Sequence, residues 1–141
     1  MRDRIQLAVI ALALGLASIR VDADVVAVVG ANSPISSLSR AEVMDIFLGR
    51  RTRFPDGSAA VPIDQSEGSA VRDEFYTTFA AMSAAQIKAF WSKIIFTGRG
   101  QPPKAVANGD EAKKLVAANL NAITYIERDK VDSSVRVVLA P

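Results

Sequence analysis

The chain contains neither cysteine nor histidine. Their absence removes thiol chemistry, disulfide stapling, Ser-His nucleophilic catalysis and most zinc sites in one step. An oxygen-only metal site survives that filter, but no Asp-rich calcium loop is present, so no metal or cofactor is expected. Charge of one sign is also lacking: the net charge is +2, too small a field to select a nucleic acid or a membrane surface. The one cationic cluster, Arg50, Arg51 and Arg53, lacks aromatic interleaving and reads as a solvated loop rather than a nucleic-acid site. Low-complexity tracts and repeats are missing as well. What remains is 141 residues, half of them hydrophobic, enough for one domain with a real core and too few for two.

The first residues carry a compartment signal. Arg2 and Arg4 precede an apolar run over residues 5–19, broken only by Gln6 and Ser18. Val21 and Ala23 then stand like the −3 and −1 residues of a secretory cleavage site. A membrane anchor is the competing reading, but at 1.5 Å per residue this run falls short of the roughly 30 Å hydrocarbon core. The expectation is a cleaved signal peptide over residues 1–23, one domain over 24–141 starting at Asp24, and export to the periplasm.

Beyond the leader, V-V-A-V-V-G (25–30) is a continuous β-branched run bounded by glycine, the pattern of a strand buried on both faces. After a small-polar loop, S-R-A-E (39–42) is a capping box, and Val43, Ile46 and Phe47 give a helical face ending at Gly49. A-A-V-P-I-D (59–64) reads as a short strand, with Pro62 favouring a sheet edge or a strand end. The next helix is expected over 69–80, with Val71, Phe75 and Phe79 turned to the core. A second capping box, S-A-A-Q (83–86), opens a helix whose stripe is Ile87, Phe90, Trp91, Ile94 and Ile95. Trp91 on that stripe reads as core rather than as a ligand-stacking residue. T-G-R-G-Q-P-P (97–103) reads as a rigid connection, and N-G-D-E (108–111) caps a further helix ending near Asn119. N-A-I-T-Y-I and R-V-V-L close the chain as strands. The order strand–helix–strand–helix–helix–helix–strand–strand predicts an α/β sandwich with a mixed sheet, whose strand order is not readable from periodicity.

The stretch P-I-D-Q-S-E-G-S-A-V-R-D-E-F (62–75) joins the second strand to a helix. A helix N-terminus offers unpaired amides and the positive end of its dipole. Gly68 permits close backbone approach, Ser66 and Ser69 add hydroxyls, and Arg72 stands one turn on; together they suit a sulfate, phosphate or carboxylate. The plainer reading is a helix cap: Ser66 or Ser69 caps, and Arg72 pairs with Asp64, Asp73 or Glu74. Local chemistry alone leaves both open.

Taken together, these segments resemble the phosphate ABC transporter substrate-binding protein family. The similarity runs in order along nearly all of the segment after the leader. V-V-A-V-V-G-A-N-S-P-I is similar to that family's first strand and small-polar loop, and L-S-R-A-E-V-M-D-I-F-L-G-R to its "L-s-x-x-x-l-x-x-I-F-x-G-k" element. A-F-W-S-K-I-I-F-T-G-R-G-Q-P-P resembles a segment of short, single-lobe relatives. N-A-I-T-Y-I-E resembles "G-A-I-G-Y-v-e", with Asn121 and Thr124 where glycines are usual. The family's phosphate-binding "R-x-x-x-S-G-T-x-x-x-F" falls on Gln65, Ser69 and Phe75, with Ala70 and Val71 replacing its glycine and threonine. The binding arginine and the threonine hydroxyl are therefore absent.

The resemblance implies a three-layer α/β sandwich that forms a single lobe of the type II periplasmic binding protein-like fold. It also implies an oxyanion site at Asp64, Gln65, Ser66, Gly68, Ser69 and Arg72, with Asn32 and Ser33 contributing from the first loop and Asp64 accepting a proton from the ligand. The implied partners are inorganic phosphate or a similar oxyanion and an inner-membrane ABC permease. Two other classes compete. In one, the fold persists without tight phosphate binding and docks another envelope protein. In the other, Asp64 and Glu67 act as a carboxylate pair in an enzyme, although no nucleophile–base pairing is legible, and the reading adopted is a non-enzyme.

Overall fold

The computed structural model describes residues 24–141; the expected signal peptide lies outside the described residues. Five strands form one sheet: β1 (Val25–Gly30), β2 (Val61–Gln65), β3 (Lys104–Val106), β4 (Ala122–Glu127) and β5 (Val135–Leu139), in the order β3-β2-β4-β1-β5. β2 runs parallel to both of its neighbours, β3 and β4. β1 lies antiparallel between β4 and β5. The sheet is mixed, as the element order predicts.

Four helices cover it: α1 (Arg40–Phe47), α2 (Ala70–Ala80), α3 (Ala84–Phe96) and α4 (Gly109–Ala118). Val25, Ala27 and Val29 join the cluster made with α1, α2 and α3, whereas Val26 and Val28 join the one made with α4. Alternation along one strand thus feeds two cores, which makes three layers and explains why all six residues of β1 are buried.

The capping signals form as spaced. Ser39 and Glu42 exchange hydrogen bonds of 2.9 and 3.1 Å at the start of α1, and Ser83 and Gln86 do so at 2.8 and 3.2 Å for α3. Pro62 sits where β2 pairs with β4 alone, because β3 begins opposite Ile63. Its missing N–H therefore removes no bond to β3.

Two features depart from the sequence expectation. Residues 104–106, which follow the proline-rich connection, form the edge strand β3, too short for any period to show. Ile95, expected on the core stripe of α3, is 55 % exposed, and Phe96 beside it is 92 % exposed. The buried contact of α3 is made by Ile87 and Trp91, with Phe90 and Ile94 at its margin. Ile95 falls past that arc.

Gly30 is required by a close approach. A Cβ there would meet the backbone oxygen of Val116 at 2.5 Å, so α4 lies directly on the end of β1. Gly30→Ala is expected to force the two apart and lower stability by roughly 1–3 kcal/mol. Urea unfolding measures it; an unchanged midpoint would show that α4 yields freely.

Candidate functional site

β2 and β3 are parallel, so their carboxyl ends lie on the same side of the sheet, and each leads directly into a helix. β2 passes through the turn 66–68 into α2, and β3 through Ala107 and Asn108 into α4. Both helix N-termini therefore face the same end of the sheet, the usual place for ligands in α/β folds. Between them lies a cavity of about 250 Å³ lined by Gln65, Ser69 and Val71 on one side and Ala107, Asn108 and Gly109 on the other, with Glu127 and Lys130 closing it.

Hydrogen bonds define what each group there can still do. The Ser66 amide and hydroxyl both donate to the Val106 carbonyl, at 2.9 and 3.1 Å, which ties the turn to β3. The Ser69 amide donates to the Ser66 carbonyl at 3.1 Å. The Ser69 hydroxyl donates to Gln65 Oε1 at 3.1 Å and accepts the Arg72 amide at 3.2 Å, as an N-cap does. Gln65 Nε2 in turn donates to the Tyr125 carbonyl at 3.1 Å. Gly68 adopts φ +93°, with open space where a Cβ would stand, so glycine serves the turn rather than close packing. Locally, then, Ser66 and Ser69 build the cap. The first-turn amides of Ala70 and Val71, and those of Gly109 and Asp110 in α4, have no acceptor among the described residues.

Asp64 and Arg72 are close by but do not line the cavity. Asp64 points to the other face of the sheet, where it is 3 % exposed. Tyr76 donates its hydroxyl to Asp64 Oδ2 at 2.6 Å, Tyr125 donates to Oδ1, and the Gln65 amide donates to Oδ1 at 2.8 Å. Arg72 Nε lies 3.5 Å from Oδ1, and its guanidinium sits 5.3 Å from the centre of the Tyr76 ring. Burial pushes both tyrosine hydroxyls far above the ordinary phenol range, and the neighbouring Asp64 charge pushes them further. Both remain protonated donors. Both Asp64 oxygens are thus engaged by its own fold, on the face of the sheet away from the cavity, and Arg72 is its counter-ion.

Asn32 and Ser33 are elsewhere. β1 runs antiparallel to β4, with Val29 opposite Ile123, so the loop after Gly30 leaves beside the start of β4. β2 is parallel to β4 and ends beside its finish. The two loops are a strand's length apart, roughly 15 Å at ~3.3 Å per residue. The loop itself turns carbonyls inward: Arg136 donates to the carbonyls of Ala31, Ser33 and Ile35 at 3.0, 2.8 and 3.0 Å. Ser33 Oγ accepts the Ile35 amide at 3.2 Å. A cation already occupies this turn, so the expected contribution of Asn32 and Ser33 to an anion site is corrected. The carboxylate pair of the enzyme reading also fails, because Glu67 is exposed and pairs with Lys88 at 3.5 Å while Asp64 is buried.

No protein-family model and no curated protein matches the chain. Solved structures do match it. A candidate phosphate ABC transporter substrate-binding protein from Clostridium perfringens, with bound phosphate, superposes with a TM-score of 0.62 at 24 % identity, over 82 % of this chain and 44 % of that one. An ABC-type phosphate transport receptor from Vibrio cholerae gives 0.64 at 19 %, over 82 % and 45 %. PstS from Borrelia burgdorferi gives 0.54 at 13 %, over 82 % and 46 %. The fold is one lobe of the type II periplasmic binding protein kind.

The lobe spans less than half the length of those proteins. Its sheet and helices are the ones the resemblance implies. The groups that sequence reasoning missed in it are Asn108, Gly109, Glu127 and Lys130. N-G-D-E was legible as a cap, but a second helix start at the same sheet end became visible only once β3 was known to parallel β2.

Proposed function

We propose that this lobe binds a small oxyanion, phosphate or a close analogue, in the cavity between the N-termini of α2 and α4. The observation that carries the reading is the convergence of two helix starts on one half-open cleft at the carboxyl ends of β2 and β3. Each end contributes amides without acceptors and the positive pole of its helix. Lys130, which also reaches Asp110 Oδ1 in the first turn of α4 at 3.5 Å, is the only cation among the lining residues, and Glu127 the only carboxylate. The role first expected of Asp64 passes to Glu127: a carboxylate beside the site accepts a hydrogen bond from the P–OH of a monoprotonated phosphate and repels a fully ionised sulfate, which has no such donor. The phosphate-transport descriptions of the neighbouring structures agree with this ligand class. We place the protein in the periplasm as a binding component related to ABC-type phosphate uptake, with a permease as partner, and as a binder rather than a catalyst.

Calorimetric titration with phosphate and with sulfate tests the proposal. Phosphate should give saturable heat at millimolar concentration or below. Lys130→Ala should weaken it about tenfold, as expected for one charged hydrogen bond. Glu127→Gln should narrow the preference over sulfate. Absence of heat with phosphate at millimolar concentration overturns the reading.

A second reading has its own support. The Ser69 amide and hydroxyl are committed inside the turn, and Arg72 is withdrawn to Asp64. A lobe that keeps its fold while its strongest donors face inward suits docking to an envelope protein without tight phosphate capture. Silence in the titration together with a stoichiometric partner in cross-linking would select it.

A further inference from the structure

At the opposite end of β2 lies a larger concavity. Its volume is about 750 Å³, and it runs between the end of α1, the flank of α3 and the proline-rich connection to β3. Val61 and Pro62, the first residues of β2, line it, whereas the smaller cavity is lined by Gln65, the last. The two spaces are separate.

Chemically the groove is divided. Phe47, Phe90, Trp91 and Ile94 supply an aromatic and aliphatic floor. Arg50, Arg51, Lys93, Arg99 and Lys104 supply cations, and no aspartate or glutamate is among the lining residues. Arg50 and Arg51 reach Asp45 and Glu42 only at 3.8 Å, and both are substantially exposed. Lys93, Arg99 and Lys104 form no ion pair among the described residues. Trp91 is 6 % exposed, and its indole Nε1 is buried without an acceptor among the described residues. A buried donor left unpaired is costly, so this one marks a place where an acceptor is missing.

We propose that this groove is a second binding site, for a small amphipathic anion: a carboxylate or similar acidic head joined to an apolar body. Size supports a small molecule, since ligand pockets typically enclose ~300–1,000 Å³ and are mainly apolar with a few polar anchors. The sign of the ligand follows from five cations and no acid in the lining. Its apolar part follows from the floor, which inorganic phosphate would leave wet. The head group pairs with the cations left without partners, and the body lies along Phe90, Trp91 and Ile94. This site does not depend on the oxyanion cavity.

The chain's single tryptophan is the reporter. Monomeric decanoate, titrated into the full protein, should shift Trp91 fluorescence saturably and give matching heat by calorimetry. Decyltrimethylammonium, with the same tail and the opposite charge, should bind at least about tenfold more weakly. Lys93→Glu combined with Arg99→Glu, both on exposed positions, should weaken decanoate by about tenfold or more while the protein still unfolds in one cooperative transition, its midpoint lowered only slightly by the loss of Lys93 from the last turn of α3. The proposal is overturned if neither light nor heat reports decanoate. Equal binding of the cationic amphiphile, or indifference of decanoate to the charge reversal, overturns it too. An acidic apolar peptide that binds where decanoate does not would reassign the groove to a protein partner.

Discussion

Asp64→Ala is expected to lower the stability of the domain by about 3–5 kcal/mol, the range for removing one partner of a buried charged pair. Against a typical total of roughly 5–15 kcal/mol this is close to unfolding. The substitution removes the acceptor of two tyrosine hydroxyls and of the Gln65 amide, and strands the Arg72 guanidinium. Tyr76 and Tyr125 cannot adapt by ionising, because burial holds their hydroxyls protonated. Asp64→Asn should be milder, since one carbonyl oxygen still accepts. Denaturant melts of the two variants check the claim. A loss below about 1 kcal/mol in Asp64→Ala, the size of an ordinary hydrogen bond, would show that the cluster is spectator chemistry. Pairing Asp64→Ala with Tyr125→Phe should cost less than the sum of the single changes, because both act on one bond.

Phe75→Ala is expected to cost a further large amount, about 3–5 kcal/mol, by a different route. Phe75 is fully buried. Its ring stacks on Tyr125 with centroids 4.0 Å apart and planes at 10°, and meets Phe47 edge-on at 4.9 Å. Tyr76 and Phe79 lie at 5.1 and 5.4 Å. Truncation opens a cavity at the junction of α1, α2 and β4, where rigid rings cannot collapse into the space. Phe75→Leu should recover much of the loss by refilling volume. Guanidinium unfolding gives the values. Equal stability of the Ala and Leu variants would mean that volume is not what Phe75 provides.

Both residues show where sequence reading reached its limit. Phe75 was legible, because its spacing from Val71 and Phe79 marks a helix face. Asp64 was legible only as a strand end and a candidate partner of Arg72; its burial and its bond to Tyr125, some sixty positions later, were not. The same holds for direction. V-V-A-V-V-G declared itself a buried strand, but nothing in it says that it runs against β4 while β2 runs with it, and those two directions together put Asn32 and Ser33 at the other end of the sheet from the cavity. Caps at Ser39, Ser69, Ser83 and Asn108 were legible because a cap is a rule about three or four neighbouring residues. β3 and the partnership of Ser69 with Asn108 were illegible because they are relations between distant segments.

The position of β1 has a kinetic meaning. The first described strand lies between the last two, with Val25 opposite Glu127 and Gly30 opposite Val135. Each pairing closes a loop of about 100 residues, so the centre of the sheet carries high contact order and its entropy is lost before its contacts form. Until β4 and β5 are in place, Val25–Gly30 remains an unpaired apolar segment, and completion of the sheet waits on strands about 100 residues further along.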